Sequence, residues 1–407
     1  MSFLQDITAY VKSGETQTEN LGLEIEHFVV DENGEQIGFA EVSALIRSVA
    51  EEIGAEILYT DGYPAGYVNE RYSVTLEPSC QFEISISPYA QLCEIEEVYR
   101  DFLAVWTPIF RRRGYRFVTK GNLPLVESGR LDPFDIPLSP KKRYQYMDAY
   151  FRDSGKYGHY MMRAAASTQV SVDYTSEADL VQKLSVLQKI SPILMIMMEN
   201  KSDPETSLPG ISEKPHLLRI QEWDDLDPDR TGFFPGSLEP GFGYQKIAEA
   251  VYRTPLILLT DQGVTTPVGR KNAQTLVDEG IFSEEEPDAG RRTKQVEHVL
   301  SMGFFHFRIK KYIEIRVADS VPIDKALGYA ALLKGIVYAK RNLDILENEL
   351  SDIDDVAKIQ DAVLRIEAHG HDAVIYQDRT AAAWAEYLVD LARDVLPEQE
   401  REYLNYV

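Results

Sequence analysis

The chain has 407 residues, with 42 Lys and Arg against 66 Asp and Glu, a formal net charge of −24, and 44% hydrophobic residues. That apolar share supports a sizeable core and excludes wholesale disorder, and the length fits two to three domains or one large enzyme domain. An acidic surface without a dense Lys/Arg stripe repels phosphate backbones and anionic bilayers, so nucleic acid and membrane are excluded as partners.

The first residues, MSFLQDITAYVKSGE, show no basic stretch followed by an apolar one. The two cysteines, Cys80 and Cys93, form neither a disulfide framework nor a metal pair. A reducing, cytoplasmic setting is the expectation. Alternating apolar residues predict strands over 21–30, 71–76, 81–87, 166–174 and 304–318. Apolar residues at helical spacing predict helices over 41–54, 93–114, 141–151, 176–201 and 243–253, the fourth capped by the Thr175-Ser176-Glu177 stretch. Pro, Gly and charge place loops at 200–215 and 284–292. From residue 321 onward the pattern becomes helical throughout. The expected architecture is an α+β body of mostly antiparallel strands over 1–320 with a helical part, 321–407, packed on it. The most apolar run, residues 191–198, is far short of a bilayer span.

Carboxylates recur on the predicted strands. In LGLEIEH, Glu24 and Glu26 share one face while Leu23 and Ile25 share the other. Like charges on one face repel, and a divalent cation with its preference for hard oxygen ligands is one reason to tolerate them; a solvated face is the other. Glu77 and Glu83 stand six apart across a Pro-Ser turn, Gln169 leads the polar face of ASTQVSVDY, and Glu314 shares a face with Arg316. A carboxylate beside a guanidinium is either a plain ion pair or a metal ligand next to a phosphate contact. Each feature alone is weak. Four polar, acid-bearing faces with apolar backs together describe a sheet suited to metal–nucleotide chemistry. His27, His298 and His306 lack metal-site spacing and read as structural, and the EAHGHD stretch with His369 and His371 reads as a helix end.

The stretch TLEPSCQFEIS resembles the LEPGGQFELSG element of plant-type glutamate–cysteine ligases. The resemblance continues in order through DIPLSPKKRYQYM, MMRAAASTQVSVDYTSEADLVQK, LRIQEWDDLDPDRTG and VEHVLSMGFFHFRIKKYIEIRVAD, spanning about residues 20 to 320. It implies a sheet like that of the glutamine synthetase catalytic domain, an antiparallel funnel covered by helices. It also implies ATP-dependent joining of the L-glutamate γ-carboxylate to the amine of L-cysteine through γ-glutamyl phosphate. Two or three Mg²⁺ ions would be held by Glu24, Glu26, Glu77, Glu83 and Glu314, with Glu314 and Arg316 as catalytic groups. Gln169, Arg163, Arg219 and Trp223 would contact substrate, and Arg308, Lys142 and Arg143 the nucleotide. Two elements depart from the family: its GGQ is Ser79-Cys80-Gln81 here, and its glycine-rich segment after ExRxAD is Ser320-Val321-Pro322. Both leave open a different acceptor amine, and a non-catalytic nucleotide-binding regulator is the alternative of another class.

Overall fold

The computed structural model describes residues 2–203 and 213–407. Helix α1 (Phe3–Lys12) opens on a reciprocal Ser2–Gln5 capping box, which satisfies backbone N–H groups that the first turn leaves free. Then come β1 (Leu21–Val30), α2 (Phe39–Ile53), β2 (Glu56–Thr60), β3 (Tyr63–Val68), β4 (Tyr72–Leu76), β5 (Phe82–Tyr89) and the long α3 (Leu92–Arg112). Next, β6 (Arg116–Val118), α4 (Pro124–Glu127), α5 (Lys142–Ser154) and α6 (Gly158–Ala164) lead into β7 (Ser167–Val172) and α7 (Glu177–Met197). α8 (Leu218–Asp224), α9 (Tyr244–Arg253), the hairpin β8 (Leu258–Asp261) and β9 (Val264–Pro267), α10 (Ala273–Asp278) and α11 (Ala289–Ser301) precede β10 (Phe307–Ile309) and β11 (Ile313–Asp319). The regular elements described beyond β11 are all helical: α12 (Ile323–Val337), α13 (Lys340–Glu349), α14 (Val356–His369), α15 (Ala381–Val395) and α16 (Glu398–Arg401), with short 3-10 turns.

Nine strands form one open sheet in the order β10-β11-β7-β1-β5-β4-β3-β2, with β6 added to the end of β1. All its pairings are antiparallel, which makes this an α+β fold. In β1, Leu23 and Ile25 are fully buried while Glu24 and Glu26 stay partly open on the other face. The alternation read from the sequence therefore divides the sheet into an apolar back and a polar front. The back rests on an aromatic cluster in which Phe82 meets Trp106 and Phe110 of α3 edge-to-face.

Two expected segments resolve differently. Residues 304–318 are not one strand: the chain reverses at Lys310–Tyr312, making the β10–β11 hairpin, with Arg308 opposite Glu314. The loop expected at 284–292 ends at Asp288, whose carboxylate accepts from the Gly290 and Arg291 N–H groups and so starts α11. Of the loop expected at 200–215, residues 204–212 lie outside the described residues.

Helix α7 begins where Ser176 accepts from the Asp179 N–H. It is buried nearly all round, between β11 and the helices α13, α14 and α15. By length and composition it could cross a membrane, yet 83% of its apolar window is buried inside the protein. The larger of two hydrophobic clusters among the described residues includes both Phe3 and Leu404, so the helices beyond residue 320 share the core of the sheet, and a smaller cluster gathers around Phe28 and Leu123.

Candidate active site

A cleft of about 440 Å³ opens on the polar face of the sheet. Glu24, Glu26, Glu77, Glu83 and Glu314 all line it, together with Gln169, Arg308 and Arg316. Strand register explains the convergence. Glu24 lies between Gln169 of β7 and Ser85 of β5, and Glu26 pairs directly with Glu83, which in turn faces Thr75 of β4. Glu77 joins them because β4 and β5 are linked by a tight turn. The Glu77 N–H donates to the Gln81 carbonyl at 2.9 Å and the Cys80 N–H to the Glu77 carbonyl at 3.0 Å. Cys80 closes that turn at φ 67°, a left-handed conformation that glycine adopts without strain, which is where the family's glycine pair departs in this chain.

The cleft has an acidic half and a basic half. In the acidic half, Glu83 accepts from the hydroxyls of Thr75 at 2.9 Å and Ser85 at 3.2 Å. Glu26 accepts from the Ser167 N–H at 2.7 Å and from the Gln169 amide at 3.2 Å. Among the described residues, no Lys or Arg stands within ion-pair distance of Glu24, Glu26, Glu77 or Glu83. Burial, reinforced by Glu77, pushes Glu26 up to about 7. Burial and then the charges of Glu24, Glu77 and Glu26 raise Glu83 well above the ordinary carboxylate range, and burial and Glu314 raise Glu24. These carboxylates repel one another, while the charges of Lys310, Arg308 and Arg316 partly oppose the rise at Glu24, and those of Arg316 and Arg219 the rise at Glu26.

In the basic half, Glu314 is fully buried and caged by cations. Arg308 grips it with two N–H groups, Nη2 at 2.8 Å; Lys310 stands at 3.4 Å and Arg316 at 3.6 Å. Burial alone would raise the Glu314 carboxyl, but Arg308, Lys310 and Arg316 reverse that and hold it far below its usual range. The two halves meet at Gln169, whose amide donates to Glu26 while its oxygen accepts from Arg316 at 2.5 Å. Arg316 also lies over the Trp223 ring, 5.7 Å from its centroid.

The remaining candidates separate. Trp223 and Arg143 line the cleft, and Arg143 makes no hydrogen bond or ion pair among the described residues. Arg219 also lines it, but its Nε binds Asp319 at 3.0 Å and its Nη2 the carbonyls of Arg316 and Ala318 at 3.1 and 2.8 Å. That guanidinium holds the end of β11. Two residues expected in the site lie outside it. Arg163 is buried elsewhere, bound to Asp148 and to the Ile136 carbonyl at 3.1 Å. Met161 of the same helix does reach the cleft, and two helical steps turn Arg163 to the opposite side. Lys142 is exposed at the start of α5, its backbone N–H donating to Asp61, while its neighbours Lys141 and Arg143 turn inward.

Lys141 and Lys310 are the cleft cations that sequence reasoning missed. Lys141 is buried, and its Nζ donates to the Leu76 carbonyl at 2.5 Å. Lys310 had a legible signal: it stands two residues from Arg308, hence on the same strand face. The histidines are structural. His27 is bound at both ring nitrogens, His298 meets the Leu258 carbonyl at 2.9 Å and His306 stands 3.1 Å from Asp224. Among the described residues, no group of three or more His, Cys, Asp and Glu side chains forms a compact metal site. The acidic half nevertheless suits a divalent cation in its chemistry: four carboxylates, all oxygen donors, with hydroxyls and amides as their only hydrogen-bond partners among the described residues.

The family model described as glutamate–cysteine ligase family 2 matches residues 20–407. Among curated proteins, the chloroplastic glutamate–cysteine ligase of Brassica juncea is 27% identical over 352 residues, covering 85% of this chain and 65% of its own length. The chloroplastic glutamate–cysteine ligase A of Oryza sativa subsp. indica is 25% identical over 353 residues, covering 86% and 69%. The chain thus spans about two thirds of the length of these relatives. Among solved structures, a glutamate–cysteine ligase from Francisella tularensis in complex with AMP matches with a TM-score of 0.52 at 12% identity, over 96% of this chain and 81% of that one. At that identity the likeness establishes the fold.

Proposed function

The chain belongs to glutamate–cysteine ligase family 2, and from that premise we propose that it joins the γ-carboxylate of L-glutamate to the amine of L-cysteine at the expense of ATP. The supporting observation is the divided cleft, with four carboxylates that no described Lys or Arg contacts within ion-pair distance, beside a cluster of arginine and lysine on one sheet face. In the reaction a γ-carboxylate oxygen of glutamate attacks the γ-phosphorus of ATP, and the bond to the ADP oxygen breaks. The cysteine amine then attacks the acyl carbon, phosphate leaves with the acyl–oxygen bond electrons, and the amine loses its proton.

Both steps bring anions together, so the chain must supply positive charge where negative charge gathers. Arg143, which has no ion pair of its own among the described residues, is placed to receive a phosphate, and Arg316 to face the transferring group. Gln169 fixes Arg316 relative to Glu26, which keeps the basic and acidic halves in register. Glu24, Glu26, Glu77 and Glu83 would hold magnesium, which when bound neutralises phosphate charge and carboxylate repulsion together. Glu314 is a further candidate ligand, but in this arrangement both its oxygens accept from Arg308. Trp223 and Phe304 supply an apolar wall that limits water at the acyl phosphate.

The test is phosphate release from ATP with Mg²⁺, glutamate and a panel of amines. Cysteine should give the fastest release and a γ-glutamyl product. If cysteine adds nothing over buffer while another amine does, the acceptor is wrong; if no amine stimulates release, the chain is not this ligase.

A further inference from the structure

Strand β11 changes register inside the site. Glu314 pairs with Ser171 and Ile315 with Val170, but Ala318 pairs with Thr168 and Asp319 with Ser167. Arg316 and Val317 together therefore stand opposite Gln169, and the extra residue makes a β-bulge, which bends a strand and re-aims its side chains. Here it falls on Arg316, the guanidinium that meets Gln169 and lies over Trp223.

The bulge also decides where Asp319 points. Strict alternation would place Asp319, five residues after Glu314, on the apolar back with Ile313, Ile315 and Val317. The extra residue instead makes it the partner of Ser167, whose hydroxyl donates to Glu26 at 3.1 Å, and so brings it to the polar face. There Asp319 is buried, its Oδ1 accepting from Arg219 Nε at 3.0 Å and its Oδ2 from the Asn200 N–H at 2.8 Å. Gly121 lies so close that a Cβ on it would stand 2.4 Å from Oδ2. Strand β10 accompanies β11 only as far as the Phe307–Ile315 pair. Beyond that point Arg219 Nη2 donates to the carbonyls of Arg316 and Ala318 at 3.1 and 2.8 Å. One planar guanidinium thus ties the Asp319 carboxylate to both sides of the bulge.

We infer that Asp319 is a positioning residue for the transfer step: through Arg219 it fixes the bulge that aims Arg316 into the cleft. The kinetic consequence rests on the ligase reading; the geometric one does not. Arg219 lines the cleft and Asp319 does not, so substituting Asp319 loosens the bulge without removing a group that substrate can touch. Weakening an ordinary buried ion pair lowers stability alone. Weakening a support of Arg316 also slows the chemistry.

Asp319→Asn is assayed by phosphate release with ATP, Mg²⁺, glutamate and cysteine, and its melting curve establishes that it folds. Its kcat should fall by about tenfold to a hundredfold, the effect of a displacement of about 1 Å, with KM for ATP and glutamate within about twofold of the parent. Arg219→Lys keeps a cation opposite Asp319 but loses the planar fork; it should show the same fall in kcat, and it replaces the Asn variant if that one does not fold. Adding either change to Arg316→Lys should cost less than about threefold more, because both act through the same guanidinium. A crystal structure of the folded variant should show Arg316 withdrawn from Gln169. A kcat within about twofold of the parent, with or without a lower Tm, overturns the inference. So does a rise in KM for one substrate with kcat unchanged, a full additional loss in the double variant, or an Arg316 that has not moved. A parent that releases no phosphate with any amine overturns the ligase reading instead, and the position of Arg316 in the variant crystal then decides the inference alone.

Discussion

Glu314→Gln separates two roles that the same carboxylate combines. Glu314 has 0% of its side chain exposed, and its partners Arg308, Lys310 and Arg316 have 14%, 23% and 14%. Removing one partner of a buried ion pair costs about 3–5 kcal/mol, because the remaining charges stay buried without compensation. Gln keeps one acceptor oxygen for Arg308, which places the variant near the lower end, about 3 kcal/mol. An unfolding entropy of about 2.1 cal/mol/K per residue makes that loss roughly a 3–4 °C fall in Tm for a chain of this length. Scanning calorimetry measures the fall, and phosphate release at 25 °C, where the variant remains folded, measures turnover. Turnover should drop by at least about a hundredfold, the usual loss when a group that organises transition-state charge is removed. Adding Arg308→Gln removes one surplus cation, so the double variant should regain at least half of the lost Tm and remain inactive. A single variant melting within about 1 °C of the parent refutes the cation cage as a stabilising unit. Unchanged turnover refutes the assignment of Glu314 to the reaction.

Arg143→Ala should leave Tm unchanged, since no protein group pairs with that guanidinium among the described residues, and should raise KM for ATP about tenfold or more. Lys142→Ala should alter neither quantity, because its side chain points to solvent; a kinetic effect there would reassign the inward-facing residues of the start of α5. Glu222 is fully buried, bound by Asn122 at 2.6 Å, and burial pushes its carboxyl up to about 8. The folded state then holds a proton that the unfolded state releases near pH 4.5, so this residue makes stability fall as pH rises from about 4.5 to about 8. Glu222→Gln should remove that dependence and gain on the order of a few kcal/mol at pH 8; a parent and variant with parallel stability–pH curves would contradict it.

The sheet's two faces were legible in the sequence because strand periodicity is local. Leu23 and Ile25 against Glu24 and Glu26 needs no knowledge of the rest of the chain. The Ser176 cap was readable for the same reason, as was the presence of Glu24, Glu26, Glu83 and Glu314 on polar strand faces, whereas Glu77 lies in the turn beyond β4. Errors arose where direction depends on a few degrees of local geometry. Lys141, Lys142 and Arg143 are adjacent in sequence, but helical rotation at the start of α5 turns the outer two inward and the middle one to solvent. Arg163 reads as a substrate-facing arginine beside a strand, yet it closes a helix and answers the buried charge of Asp148.

Composition, alternation and a collinear set of motifs thus determined the fold class, the family and the identity of the carboxylates, since each is carried by residue type and spacing along the chain. Only the tertiary structure decided how those carboxylates are grouped. Pairing β1 with β5 and β7 sets Glu26 against Glu83 and Glu24 against Gln169, while the reversal at Lys310–Tyr312 encloses Glu314 among three cations. Strand partners are chosen by burying apolar surface across hundreds of residues, and charge–charge energies depend on the distances that choice produces. The same glutamate in the same local pattern is therefore repelled by its neighbours in one half of the cleft and stabilised by them in the other.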